Sequence, residues 1–194
     1  MSEQNHHHDH EHHHHHEHCG CGHDHNHDHS SSLDDLSVKQ GLTIEFFGTF
    51  NASPDLLWKM LTENSQLKRW YPGLEFKQLK PGGSLLVKHN NGELEEMMVL
   101  DVEPSNYLSF AWGMNTISLE LNPSEKIDQT DLIFTKWLAD VEEKSAEEVT
   151  NWMVHLHSLA NLLEEKAIVS YEEKYQELYP QVVEMINQQN EFEF

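Results

Sequence analysis

Apolar positions set the reading from Leu42 onward. Leu42 to Phe50 is rich in β-branched and aromatic residues and predicts a strand. Asn51, Ala52, Ser53 and Pro54 then open a helix, with Ser53 as N-cap, Pro54 at the first helical position and Leu57, Trp58 and Leu61 as its buried stripe. A short second helix around 65–70 ends near Pro72 and Gly73. Further strands are predicted at 74–79, 84–89, 93–103, 106–113, 116–123 and 129–137. Turn residues separate several of them, most clearly Pro81-Gly82-Gly83, Asn91-Gly92 and Asn122-Pro123. Connections this short favour an antiparallel meander over crossover helices.

The periodicity then changes. Val149, Trp152, Met153, Leu156, Leu159, Ala160 and Leu163 recur at helical spacing, behind a capping box of Ser145 and Glu148. The expected fold is α+β, a helix-grip arrangement in which a strongly curved antiparallel sheet of about seven strands wraps a long C-terminal helix. The parts are a tail at 1–32, a linker at 33–41, the domain at 42–168 and a helical extension at 169–194. In the extension, Tyr171, Tyr175, Leu178, Val182 and Ile186 form a stripe, with Pro180 predicting a kink or two short helices. That stripe must be covered by its own domain or, in a homodimer, by a second copy.

The first 32 residues follow neither period. Fourteen of the first 29 are histidine, interleaved with acids around Cys19 and Cys21. With so little apolar side chain, the segment is expected to be disordered without metal. Neutral imidazoles bind Zn²⁺, Ni²⁺ and Cu²⁺, and paired thiolates add affinity for Zn²⁺ and Cu⁺. The densest cluster is His18, Cys19, Cys21 and His23; His12, His14, His16, His25, His27 and His29 supply further ligands. An expression tag and a functionless spacer are the competing readings; acids at close intervals and the Cys-Gly-Cys centre argue against a tag. Acidification from roughly pH 7.5 to 5, through the imidazole range, should invert the tail's charge and release metal.

Charge narrows the partners. The chain carries −22, and residues 1–37 hold eight acids and no Lys or Arg, so −14 belongs to the remainder. Such a surface repels nucleic acid and anionic lipid. No apolar run approaches the ~18–20 residues that span a bilayer, and no secretory signal is evident. Both cysteines sit in the tail, which suits metal in a reducing compartment better than a disulfide. A cytoplasmic protein is expected, without nucleic-acid or membrane partners.

Three stretches carry a family resemblance. Ala52 to Thr62, running on to Trp70-Tyr71-Pro72, resembles an opening helix and its Trp-Tyr-Pro element; Asp128 to Leu132 resembles a last strand; Trp152 to Leu159 resembles a closing helix. Together they resemble the START-like (SRPBCC, helix-grip) superfamily, and within it the family homologous to the C-terminal domain of the heat-shock protein 90 ATPase activator. The resemblance covers roughly residues 43–166. Where many members end the last strand with Thr-His, this chain has Thr135-Lys136.

The resemblance implies a cavity between long helix and sheet. Trp58, Trp70, Met97, Trp112, Met114, Trp137, Trp152 and His155 are its candidate lining, a set suited to a small apolar ligand. Met97 and Met98 are strand neighbours, so at most one faces inward. His155 falls at the edge of the apolar helix face and His157 on its solvent side. No Ser-His-Asp order, phosphate loop or paired-carboxylate motif stands out. The leading function is therefore a non-enzymatic binding protein with an apolar cavity and a tail sequestering Zn, Ni or Cu, with no cofactor in the domain. The alternatives are a co-chaperone-like protein that binds a chaperone partner and, third, a cyclase- or hydrolase-like enzyme.

Overall fold

A computed structural model of the chain describes residues 41–89, 92–167 and 169–191. The metal-ligand set at 12–29 and nearly all of the linker lie outside those residues. Chain order is β1 (Leu42–Phe50), α1 (Pro54–Thr62), α2 (Asn64–Trp70), β2 (Leu74–Phe76), β3 (Ser84–Lys88), β4 (Leu94–Glu103), β5 (Tyr107–Trp112), β6 (Asn115–Pro123), β7 (Thr130–Leu138), α3 (Ser145–Leu163) and α4 (Tyr171–Glu191). The seven strands form one open sheet in the order β1-β7-β6-β5-β4-β3-β2, and the pairings between neighbours are antiparallel. The meander runs from β2 to β7, and β1 closes onto β7 in register from Leu42↔Leu138 to Phe50↔Thr130. This is the expected α+β, helix-grip architecture.

Alternation decides which side chains reach the interior. On β7, Leu132, Phe134, Lys136 and Leu138 are buried, while Trp137 between them is 42% exposed. On β4, Met97 is buried and Met98 exposed, as neighbours on a pleated strand must be. α3 lays Trp152, Leu156 and Leu159 on the inner face, in one core with Leu119, Phe110 and Phe134. A second cluster joins Leu42, Ile44 and Leu138 to Ala146 and Val149 of α3 and to Val182 and Ile186 of α4. The stripe of the extension is thus covered partly within the chain.

Helix termini follow the sequence at one end of the domain and depart from it at the other. Ser53 accepts from the Leu56 N–H (3.4 Å) with Pro54 at the start of α1, as its residue types dictate. The Ser145–Glu148 capping box does not form. Ser145 lies inside the helix, and its Oγ accepts from the Glu142 N–H at 2.9 Å, while Glu148 turns away to bind Lys136. Nor does Pro180 divide the extension: α4 is one helix with the proline inside it. The Gln181 side-chain amide donates to the Glu177 carbonyl (3.0 Å), supporting the turn that the proline ring loosens.

Candidate functional site

The sheet's inner face and one flank of α3 enclose two adjacent clefts of about 200 and 180 Å³. His89, Trp112 and Glu148 line both; Tyr71, Val87, Lys88, Asn151, Trp152, His155 and Tyr171 complete the smaller one. The sequence places these groups by two periods. Glu148, Asn151, Trp152 and His155 share a helix face at three- and four-residue spacing, and Trp112 ends β5 opposite them.

Trp152 is the hub. It is 1% exposed, with ring centroids of Tyr71, Trp112, Phe134 and Phe110 at 5.1, 5.2, 5.5 and 5.9 Å. Its indole Nε1 is buried without a hydrogen-bond partner among the described residues. Trp70, by contrast, is closed off, because its Nε1 donates to the Met60 carbonyl at 2.8 Å. A buried donor left unpaired costs about 1–3 kcal/mol, so Trp152 carries an unmet demand for an acceptor beside the cleft.

His155 stacks on Tyr71 with centroids 3.8 Å apart and planes at 13°. Its Nδ1 lies 2.9 Å from the Trp70 carbonyl, which only accepts, so Nδ1 carries the proton and Nε2 of the neutral ring is an acceptor. Burial pushes the His155 pKa below its ordinary value, against the opposing pull of that hydrogen bond. Burial also raises the Tyr71 hydroxyl well above the usual tyrosine range, helped by Tyr171 and Glu148. Tyr171 donates to Asn151 Oδ1 at the cleft mouth.

The neutral state of His155 has a consequence for stability. Its folded pKa lies below the unfolded one, so its contribution is complete above pH ~6.5 and is lost as pH falls through the folded value. His157 shifts the same way, chiefly by burial and then by Lys174. The urea midpoint should therefore drop as pH falls below about 6.5, and His155→Gln, which can still donate to the Trp70 carbonyl, should flatten that drop. An unchanged pH profile in the variant would remove His155 from this role.

Behind Glu148 stands Lys136, fully buried, with Nζ 2.6 Å from Glu148 Oε2. Burial lowers the Lys136 pKa, opposed by the hydrogen bond and charge of Glu148. The pair puts a neutralised carboxylate on the cleft wall. Lys136 was not among the residues expected to matter, though the alternation of Leu132, Phe134, Lys136 and Leu138 assigns it to the core face. Tyr71, next to Trp70 in the Trp-Tyr-Pro element, was missed too.

Of the expected cavity residues, Trp70, Met97, Trp112, Trp152 and His155 gather on this side of the core. Met114 reaches the cleft only as a rim, 84% exposed, because it tips the two-residue turn after Trp112. Trp58 is half-buried on α1 and lines neither cleft. Trp137 points to the outer sheet face, where its ring lies over Gly41; a Cβ there would come within 2.6 Å of the indole nitrogen. His157, expected toward solvent, is half-buried, because Lys174 and Leu178 of α4 join it around a cleft on that side of α3. Among the described residues no group of three or more His, Cys, Asp or Glu is placed to hold a metal ion. Nor is any described helix long and apolar enough to cross a membrane.

A long helix gripped by an open antiparallel sheet, with its cleft between the two, defines a START-like protein. The family described as activator of Hsp90 ATPase homolog 1-like protein matches residues 51–164, and the chain belongs to that family. No curated protein matches it. Among solved structures it is similar to a conserved protein of unknown function, EF2215, from Enterococcus faecalis (22% identity, 77% of this chain and 86% of that one, TM-score 0.66). It is also similar to CalU16 from Micromonospora echinospora (20%, 75% and 89%, TM-score 0.61). A third likeness is to the Aha1 dimer from Colwellia psychrerythraea (25%, 63% and 96%, TM-score 0.54).

Proposed function

We propose that this chain is a non-enzymatic binding protein, whose domain takes a small aromatic or apolar ligand beside α3 while its tail sequesters Zn²⁺, Ni²⁺ or copper. The observation that carries the domain half is the aromatic cleft walled by Tyr71, Trp112, His155 and Trp152, whose buried Nε1 has no hydrogen-bond partner among the described residues. A flat ligand bearing one acceptor oxygen or nitrogen would satisfy the indole N–H and lie against ring faces. The tail half is supported by ligand density alone, fourteen histidines and two cysteines in 29 residues. A reducing compartment such as the cytoplasm would keep Cys19 and Cys21 available as thiolates.

Native mass spectrometry of the full chain and of a form lacking residues 1–32 tests both halves. With Zn²⁺ added, metal adducts should appear on the full chain and vanish on truncation, while a small-molecule adduct from the producing cells persists on both. Equal metal uptake by the two forms would refute the tail assignment. Protein that is repeatedly free of adduct, from several hosts, would count against a ligand carrier.

A second reading is partner binding of the co-chaperone kind. It is favoured by apolar side chains on the outer sheet face, where Phe47, Met98 and Trp137 are 73%, 54% and 42% exposed. A self-associating dimer, as in the Colwellia relative, would use this face more readily than the extension, whose Val182 and Ile186 are already buried within the chain.

A further inference from the structure

An apolar cleft on the other flank of α3 shares no lining residue with the groove around Trp152. It holds about 260 Å³ between β1, α3 and α4. β1 contributes Phe46 to Phe50, and α4 contributes Lys174 and Leu178. Those two walls come from segments outside residues 51–164, the part of the chain shared with the family. The rest of the lining, Leu132, Phe134, Met153, Leu156, His157 and Ala160, lies within 51–164, so the cleft forms where the flanking elements meet the family core.

Its shape and charge both restrict the occupant. The lining runs about 13 Å along β1 at ~3.3 Å per residue and about 10 Å along α3, from Met153 to Ala160, at ~1.5 Å per residue. Spread over that length, the volume corresponds to a mean cross-section of roughly 20–25 Å², close to that of one extended hydrocarbon chain. At ~30 Å³ for a group the size of a water, it accommodates about eight or nine such groups. The floor is apolar, from Phe50, Leu132, Phe134 and Leu156.

Among the described residues, the titratable lining is Lys174 and His157. In a chain of 34 acids and 12 Lys and Arg, Lys174 is thus the cation of the lining, paired at the rim with Glu177. The Lys174 side chain is only 15% exposed, so its stem forms part of the wall and its ammonium is held at the rim. Its partner there, Glu177 at 2.8 Å, is itself 56% exposed and can turn to water when another anion takes its place.

We propose that this cleft binds a straight-chain monocarboxylate of about eight to ten carbons, with the alkyl chain along β1 and the carboxylate at Lys174 and His157. Isothermal titration of the full chain with hexanoate, octanoate, decanoate and dodecanoate tests it. Affinity should rise about fourfold per methylene and then level off once the trough is full. Lys174→Met should weaken decanoate about tenfold and leave 1-decanol unchanged. Leu178→Trp, which fills the cleft, should abolish both, whereas Trp152→Phe should alter neither, which separates this site from the ligand groove. Affinity that keeps climbing through dodecanoate, equal binding by the Leu178→Trp variant, or tighter binding of decyltrimethylammonium than of decanoate would each overturn the proposal.

Discussion

Glu148→Ala is expected to destabilise the protein by about 3–5 kcal/mol at pH 7, the usual consequence of stranding one partner of a buried ion pair. Lys136 is fully buried on the inner sheet face, and Glu148 is its carboxylate partner at 2.6 Å. Without Glu148, the ammonium must sit uncompensated among side chains such as Phe134 and Leu138 or shed its proton. Lys136→Met should cost far less, because the remaining Glu148 is a quarter exposed and rehydrates through the cleft it lines. The double variant should then resemble Lys136→Met alone, giving a coupling of several kcal/mol in urea unfolding.

The pH dependence of that deficit has a defined sign. Lys136 has a folded pKa below its ordinary value, so between the two the unfolded chain binds the extra proton and stability rises with pH. Removing Glu148 removes the groups that hold that pKa up, widening the window downward. The deficit of Glu148→Ala should therefore shrink as pH rises from 7 toward 10. Above pH ~10 Tyr71 acts in the opposite direction, since its raised pKa makes the folded state keep a proton the unfolded chain loses. A deficit that is constant with pH, or additive single variants, would show that Lys136 finds water or another partner once Glu148 is gone.

The pair also marks where sequence pattern stops being informative. Period-two alternation places Lys136 inside, and helical spacing places Glu148 beside Trp152, but neither period says that β7 and α3 bring the two together. The same limit explains the capping box: Ser145 and Glu148 have the right spacing, yet a buried ammonium attracts the carboxylate more strongly than a backbone N–H can. Strands, turns and the long helix were legible because each rests on local chemistry: β-branched runs, Gly and Pro punctuation, and an apolar stripe. The tryptophans were half legible. Trp152 and Trp112 are inward by period, but Trp137 is outward by the same period, a fact that its size and apolarity conceal. The coverage of α3 by α4, which half-buries His157, depends on where a proline-containing helix docks and has no local signature.

Trp152 carries the second large effect, and two substitutions divide its roles. Trp152→Ala should destabilise by about 3–5 kcal/mol, because four aromatic neighbours lose their common contact and α3 is too firmly packed to collapse into the space. Trp152→Phe keeps a ring in place. It leaves a smaller void, costing under ~1.5 kcal/mol, and removes the buried N–H that has no acceptor, relieving about 1–3 kcal/mol. The two contributions nearly cancel, so Trp152→Phe should unfold in urea within about 1 kcal/mol of the parent. If the indole N–H awaits a ligand acceptor, the same variant should nonetheless lose the small-molecule adduct in native mass spectra, or hold it about tenfold more weakly. A stable Trp152→Phe protein that keeps its adduct undiminished would make the unpaired nitrogen a tolerated packing defect. Loss of both stability and adduct would show instead that the indole's bulk is what the fold requires.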